Sequence, residues 1–118
     1  MANKKILIID DEEDLCLLLK DYFKRKNFDV YISHDLDEGR SVLNQIVPDV
    51  VVLDNNLPGG TGWDTASFIA DKFPQIYILL ISAYKSSLPM LREGALLGII
   101  EKPVSFVALD RVLRKLYN

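Results

Sequence analysis

The stretch that decides the fold is residues 6–12, Ile-Leu-Ile-Ile-Asp-Asp-Glu, in which four apolar residues run directly into three acids. A short continuous apolar run is typical of a β-strand that is covered on both faces, as the strands of a parallel sheet are. Similar runs recur at residues 50–53 and 76–81, and a shorter one at residues 99–100. The mixed stretch Phe28–Ser33 predicts a strand at the edge of the sheet.

Amphipathic segments alternate with these strands. One apolar helical face is predicted from the spacing i, i+3, i+4, i+7 and i+8 of Leu15, Leu18, Leu19, Tyr22 and Phe23. Asp35, followed three residues later by Glu38, is typical of a capped helix start. Further helices are predicted at residues 62–72 and 104–116, and a short fourth helix is predicted from residue 87.

The alternation of strands and helices predicts one α/β domain over residues 1–118, with a five-stranded parallel sheet and five helices in three layers. A net charge of -3 argues against a nucleic-acid partner bound mainly through counterion release. No apolar run approaches the roughly 20 residues that cross a bilayer, so no membrane association is expected. The cytoplasm is the expected compartment.

The chain has one cysteine and one histidine. Cys16 cannot form an internal disulfide, and its leucine neighbours favour a packed thiol over a reactive one. His34 follows the second strand and has no acid and nucleophile beside it in the sequence. We therefore interpret His34 as a surface loop residue and not as a catalytic base.

Polar residues follow each of the four apolar strands, and in an open parallel sheet ligands bind beyond those carboxyl ends. They are Asp10 and Asp11, then Asp54, Asn55 and Asn56, then Ser82, and finally Lys102. Each of them alone has a plain structural explanation. Acids suit the positive end of a helix, Asp and Asn favour turns, a serine can cap a helix, and a lysine can simply stay in water.

The combination is harder to explain as scaffolding, because Asp54 and Asp10 or Asp11 are expected on neighbouring strand ends. Two carboxylates about 5 Å apart repel each other by roughly 3 kcal/mol at an effective dielectric constant of 20. A divalent cation reverses the sign of that interaction. A set of oxygen ligands of this kind suits Mg²⁺ or Mn²⁺, which commonly share such a site with a phosphate.

The ionisation state of the candidate side chains predicts which of them is the nucleophile. An aspartate is already ionised at neutral pH and can attack phosphorus without a general base, whereas a serine or threonine needs one. Lys102 and the Ser82 hydroxyl would supply hydrogen-bond donors to the incoming anion. The chemistry that fits is phosphoryl transfer onto a carboxylate.

Four separated motifs resemble, in order and approximate spacing, the response-regulator receiver domain of two-component signal transduction. They are Ile-Leu-Ile-Ile-Asp10-Asp11-Glu12, Asp54-x-x-Leu57-Pro58-x-x-x-Gly62, Ser82-Ala83 and Lys102-Pro103. The resemblance runs over essentially the whole chain. It implies a flavodoxin-like, doubly wound sheet with strand order 2-1-3-4-5 and a cis bond before Pro103.

The resemblance also implies roles for individual residues. Asp54 corresponds to the phosphoacceptor, and Ser82 and Lys102 correspond to the residues that contact the phosphoryl oxygens. The metal ligands implied are Asp10, Asp11 (favoured as the direct ligand), Asp54 and the backbone carbonyl of Asn56, holding Mg²⁺ or Mn²⁺. The implied protein is a phosphoacceptor that assists its own phosphorylation and dephosphorylation, and is not otherwise an enzyme.

The implied partner is a sensor histidine kinase or a histidine phosphotransfer protein, and the implied output is a switch of the face formed by helix 4, strand 5 and helix 5. Ile99 departs from the family, which usually has an aromatic residue three positions before the lysine. We therefore expect Ser82 to act by drawing in the loop at residues 83–88. Tyr84 is either a gate that slows entry of the hydrolytic water or an ordinary loop aromatic.

Three other functions remain open. A haloacid-dehalogenase-type phosphatase also uses a strand-end aspartate and Mg²⁺, but its signature is Asp-x-Asp after the first strand, and this chain has no room for a cap domain. A nucleotide-binding module would need glycines where this chain has residues 10–14, Asp-Asp-Glu-Glu-Asp. A receiver-like docking module that no longer signals by phosphorylation is kept open by Ile99.

Overall fold

The structure is a computed structural model that describes residues 3–57, 60–83, 94 and 96–117. In chain order the elements are β1 (Lys4–Ile9), α1 (Glu13–Arg25), β2 (Phe28–Ser33), α2 (Leu36–Ile46), β3 (Val50–Asp54), β4 (Asn56–Leu57), β5 (Gly60–Thr61), α3 (Gly62–Lys72), β6 (Tyr77–Ser82), β7 (Leu97–Glu101) and α4 (Phe106–Tyr117).

Five of the strands form one sheet in the order β2-β1-β3-β6-β7, and every neighbouring pair in it is parallel. Counted along the chain within this sheet, the order is the predicted 2-1-3-4-5, and β2 lies at an edge as expected. The short strands β4 and β5 form a separate antiparallel pair just after β3. Because the strand order reverses at β1 and β3, their carboxyl ends border the crevice where such folds bind ligands.

The sheet has a hydrophobic core on each face, which explains why its strands are apolar throughout. In β1, Ile6 and Ile8 join a cluster on one face, whereas Leu7 and Ile9 join a cluster on the other. The first cluster includes residues of α1 and α4, and the second includes residues of α2 and α3. Successive strand side chains point to opposite faces, so a strand covered by helices on both sides has no polar face.

The buried face of α1 differs from the predicted one at two positions. The helix buries Cys16, Leu19, Tyr22 and Phe23, whereas Leu18 is 44% exposed. Cys16 lies one turn before Leu19 and replaces Leu18 on the packed stripe. The burial of Cys16 confirms the predicted packed thiol. The prediction that Leu18 lies on the buried face is wrong, because two apolar stripes overlap on this leucine-rich helix.

The starts of two helices show how capping sets their bounds. The Asp35 carboxylate accepts a hydrogen bond from the Glu38 amide at 2.8 Å, which confirms the predicted cap of α2. In α4 the Ser105 hydroxyl accepts from the Ala108 amide at 3.1 Å. The helix therefore begins at Phe106, two residues later than predicted, since a serine that caps the free amides stands just outside the helix.

Four α-helices lie within the described residues, against five predicted. The short helix predicted from residue 87 begins within residues 84–93, which are not described. The Lys102-Pro103 bond is cis, as the resemblance implied. Among the described residues, no helix has both the length and the apolar composition that a bilayer crossing requires.

Candidate functional site

Three carboxylates converge at the carboxyl ends of β1 and β3. Asp10 directly follows β1, and Asp54 is the last residue of β3, the neighbouring strand. One carboxylate oxygen from each of Asp10, Asp11 and Asp54 lies within 4.8 Å of the other two. Asp10 and Asp54 are buried, whereas Asp11 is exposed. The predicted acidic cluster is thus brought together by the register of two adjacent strands.

Asp10 is the most enclosed of these acids, with no exposed surface. Its Oδ1 accepts a hydrogen bond from the Glu12 amide at 2.9 Å. Its Oδ2 is buried and has no hydrogen-bond partner among the described residues. Burial raises the pKa of Asp10 to about 6; the Glu12 amide opposes that rise, the nearby Asp54 charge adds to it, and Lys102 opposes it.

The side chains present fit a divalent metal ion. A buried carboxylate oxygen without a partner is costly, and its neighbours here are two more acids. A cation bound among them would satisfy that oxygen and offset the mutual repulsion of the carboxylates. The donors are all oxygen atoms, which is the ligand chemistry of Mg²⁺ and Mn²⁺.

Lys102, which directly follows β7, joins the acidic cluster. Its main-chain amide donates to the Ser82 carbonyl at 2.8 Å, so the chain is still paired with β6 at this point. Its Nζ lies 3.3 Å from Oδ2 of Asp54 and 3.5 Å from Oε1 of Glu12. Burial works against the charge of Lys102, but Asp54, Asp10 and Glu12 outweigh it, and the pKa of Lys102 is raised.

Ser82 lies between the ends of β3 and β7. It is the last residue of β6, which is paired with β3 on one side and with β7 on the other, and it is buried. Beside it opens a cleft of about 330 Å³ lined by Asp11, Glu12, Asp54, Ala83 and Lys102. The structure therefore brings the predicted donors and acids to one edge of the sheet, around a space that can take a small anion.

Two predicted contributions to the site remain predictions. Asn56 begins β4 and follows Asp54 by only two residues, so it is near the acidic cluster in sequence. No described contact tests the role of its carbonyl as a metal ligand. Tyr84, the proposed gate, and most of the loop at residues 83–88 lie outside the described residues.

Contacts at two places in the site are not predicted by the sequence pattern. The first is the approach of Glu12 to Lys102. The second involves the main-chain carbonyl of Asp10, which lies 3.0 Å from Nδ1 of His34 and 3.3 Å from Sγ of Cys16. Cys16 follows Asp10 by six residues, and His34 follows the neighbouring strand, so only the folded chain brings them to one atom. Burial, with the nearby acids adding to it, raises the pKa of Cys16 to about 12, and its thiol keeps its proton at neutral pH.

Ile99 occupies the position where an aromatic residue was expected from the resemblance. It is opposite Leu80 in the β6–β7 pairing, and it is partly buried against the cluster that contains Leu7 and Leu53. A branched aliphatic side chain packed in this way cannot act as a rotating aromatic ring.

Comparison with known proteins agrees with this geometry. A family profile described as the response regulator receiver domain matches residues 6–114. The response regulator protein PilR of Pseudomonas aeruginosa is 33% identical over 107 residues, which is 88% of this chain and 24% of PilR. The chain thus spans about a quarter of the length of that relative.

Solved structures show the same fold. The response regulator protein TrrA of Thermotoga maritima, in complex with Mg(2+)-BeF, superimposes with a TM-score of 0.82 at 28% identity, covering 96% of this chain and 98% of TrrA. TrrA in its complex with the histidine kinase ThkA gives a TM-score of 0.82 at 26% identity, covering 98% and 99% of the two chains. A CheY-like receiver domain from Methylobacillus flagellatus, at 19% identity, has a TM-score of 0.79 and covers 96% and 98%.

Proposed function

This chain belongs to the response regulator receiver domain family, and on that premise we propose that Asp54 accepts a phosphoryl group from a histidine kinase or a histidine phosphotransfer protein. The observation that carries the proposal is the convergence of Asp10, Asp11 and Asp54 with Lys102 at one edge of the sheet. The complex of TrrA with the kinase ThkA supports a kinase as the partner. The proposed signalling role is that of the family, whereas the proposed phosphoryl transfer is argued from the side chains of the site.

Asp10, Asp11, Asp54 and the backbone carbonyl of Asn56 would hold Mg²⁺ or Mn²⁺. When bound, the cation supplies positive charge that lets an anionic phosphoryl group approach a carboxylate. The unpartnered Oδ2 of Asp10 supports this assignment, as does the complex of the related TrrA with Mg(2+)-BeF.

In the transfer step an Asp54 carboxylate oxygen attacks phosphorus and forms a new P–O bond. The P–N bond of the donor phosphohistidine breaks, its electron pair passes to the imidazole nitrogen, and that nitrogen takes up a proton from solvent. Asp54 attacks as a carboxylate beside Lys102, so the step has no hydroxyl proton to remove and needs no general base. Lys102 and the Ser82 hydroxyl donate hydrogen bonds to the phosphoryl oxygens, and Lys102 exchanges its carboxylate partner for one of them.

The phosphorylated chain acts through the surface next to Ser82. Contact of the Ser82 hydroxyl with the phosphoryl group draws in the loop at residues 83–88 and alters the output face, which the resemblance assigns to the predicted fourth helix, β7 and α4. Because residue 99 is an isoleucine, this response does not include the rotation of an aromatic ring at that position. Amide chemical shifts at residues 83–88 that stay constant on phosphorylation would rule out this route.

Intact-mass measurement tests the central claim. The wild-type chain is incubated with Mg²⁺ and a small phosphodonor such as acetyl phosphate, beside Asp54→Asn and the control Asp37→Asn, which changes an exposed acid in the first turn of α2. We expect one added phosphoryl group on the wild type and on the control, and none on Asp54→Asn or in the presence of a chelator. A wild type that gains no mass, or an Asp54→Asn variant that gains it, would contradict the proposal.

A further inference from the structure

The main-chain carbonyl of Asp10 is held by two side chains that play no part in the proposed chemistry. Nδ1 of His34, in the bend after β2, lies 3.0 Å from this oxygen, and Sγ of Cys16, in α1, lies 3.3 Å from it. A carbonyl oxygen only accepts hydrogen bonds, so Nδ1 of His34 carries the proton in this contact. The oxygen has two lone pairs and accepts from both donors at once.

These contacts complete the hydrogen bonding of the Asp10 main chain. The Asp10 amide donates to the Ser33 carbonyl at 3.0 Å, which extends the pairing of β1 with β2 by one residue. Beyond that bond the chain leaves the sheet and enters α1. The Asp10 carbonyl thus lies at the point where sheet pairing ends, and the thiol and the imidazole replace the missing strand partner.

We propose that Cys16 and His34 are positioning residues for the metal site, which fix the peptide between Asp10 and Asp11 and thereby the place from which the Asp11 carboxylate extends. The inference rests on the proposed function, because it concerns the same acidic cluster. It adds a role for two side chains that do not touch the metal ion or the phosphoryl group.

The physical reason is the planarity of the peptide bond. The Asp10 carbonyl, the Asp11 amide and the Asp11 Cα lie in one plane, so holding the oxygen also holds the Cα of Asp11. Asp11 is exposed, and its like-charged neighbours push its carboxylate away from the cluster. Without the two donors, the metal ion would have to order this peptide when it binds, and its affinity would fall accordingly.

The chain allows matched pairs of variants for each donor. His34→Asn keeps an N–H group near the place of Nδ1, whereas His34→Phe keeps a flat ring and removes the donor. Cys16→Ser keeps a hydrogen-bond donor, whereas Cys16→Ala removes it. His34 is exposed, so its variants leave the core unchanged, while the Cys16 pair tests the buried donor.

The measurements are the dissociation constant for Mg²⁺ by calorimetry, the chemical shift of the Asp11 amide, and the melting temperature in chelator. We expect Mg²⁺ to bind roughly fivefold more weakly to His34→Phe and to Cys16→Ala, and roughly twentyfold more weakly to the double variant. The two donor-keeping variants should stay within about twofold of the wild type. The Asp11 amide shift should move only in the donor-removing variants.

The phosphorylation rate at saturating Mg²⁺ should change little in any of these variants, because the donors act on metal affinity and not on the transfer step. Wild-type Mg²⁺ affinity in His34→Phe, or equal losses in His34→Asn and His34→Phe, would overturn the inference. If Cys16→Ala does not fold, the His34 pair decides alone. A wild type that binds no Mg²⁺ would overturn the proposed function as well, so the two failures are distinguishable.

Discussion

Nζ of Lys102 lies 3.3 Å from Oδ2 of Asp54, while the main-chain amide of Lys102 is bonded to the adjacent strand β6. The cationic side chain is therefore placed beside the proposed phosphoacceptor before any phosphoryl group arrives. The same charge repels a metal ion that the acids would attract. Lys102 thus affects the two proposed ligands of the site in opposite directions.

Replacing Lys102 with methionine should slow phosphorylation and strengthen metal binding. Loss of a charged hydrogen-bond donor to the phosphoryl group should lower the rate with a small phosphodonor roughly 10–100-fold. Loss of the nearby positive charge should tighten Mg²⁺ binding by at least about fivefold. Intact-mass time courses and calorimetry measure the two effects, and Lys115→Met, at an exposed position of α4, is the control. Weaker Mg²⁺ binding in Lys102→Met would contradict this account.

Asp10→Asn should stabilise the metal-free protein at neutral pH. The pKa of Asp10 in the folded chain is about 6, above its ordinary value of 3.8. In the unfolded chain the carboxyl group ionises as the pH rises past 3.8, whereas in the folded chain it ionises only near 6, so the free energy of unfolding falls between these values. We expect the asparagine variant to avoid this loss of stability, which for the stated change in the pKa of Asp10 amounts to about 3 kcal/mol.

Urea unfolding in chelator at pH 4 and at pH 7.5 measures this difference, with Asp37→Asn as the control for a simple change of net charge. Asp10→Asn should raise the free energy of unfolding clearly at pH 7.5 and only slightly at pH 4. An equal gain at both pH values would show that the Asp10 carboxyl is not responsible. At saturating Mg²⁺ the wild type should become more stable than Asp10→Asn, because the metal ion stabilises the wild type by binding its folded state.

The Ser82 hydroxyl should assist phosphorylation of Asp54 without being essential to it. Ser82→Ala removes one neutral donor, and we expect the rate to fall about fivefold. Ser82→Thr keeps the hydroxyl and should remain closer to the wild type. The rates come from the intact-mass time course at saturating Mg²⁺. An alanine variant as fast as the wild type would exclude a contact between this hydroxyl and the phosphoryl group in the rate-limiting step.

Gly39 of α2 packs directly on β1. A Cβ atom built at Gly39 would lie 2.6 Å from Cδ1 of Ile9, a side chain with no exposed surface. Gly39→Ala should therefore lower the free energy of unfolding by about 1–3 kcal/mol. Ile9→Val removes Cδ1, so the double variant should lose less stability than the two single variants added together. Additive losses in urea unfolding would show that the two positions do not compete for this space.

Most of the sheet and of the site could be predicted from the sequence, because both depend on local patterns. Strands covered on both faces must be apolar throughout, and the residues that follow parallel strands share one edge of the sheet. This placed Asp10, Asp54 and Lys102 together without knowledge of their distances. The order of the strands came from the family resemblance.

The features that were not predicted depend on contacts between distant parts of the chain. The leucine-rich sequence of α1 offers two overlapping apolar stripes. The packed thiol of Cys16 was predicted, but only the packed structure shows that Leu18 is exposed. The contact of His34 with the Asp10 carbonyl joins residues from neighbouring strand ends. Helical periodicity does not determine the start of α4 either, because the Ser105 cap does.

The hydrogen bonds of the sheet continue one residue past three of its strands, since the amides of Asp10, Asn55 and Lys102 donate to Ser33, Ile81 and Ser82. The groups proposed to handle phosphate thus lie where the hydrogen-bonded sheet still fixes the main chain. Other proteins would recognise the outer surfaces of the helices, which pack on the sheet and are not part of it. Recognition could therefore be redesigned by exchanging exposed helix residues, and the reactive centre would remain as it is.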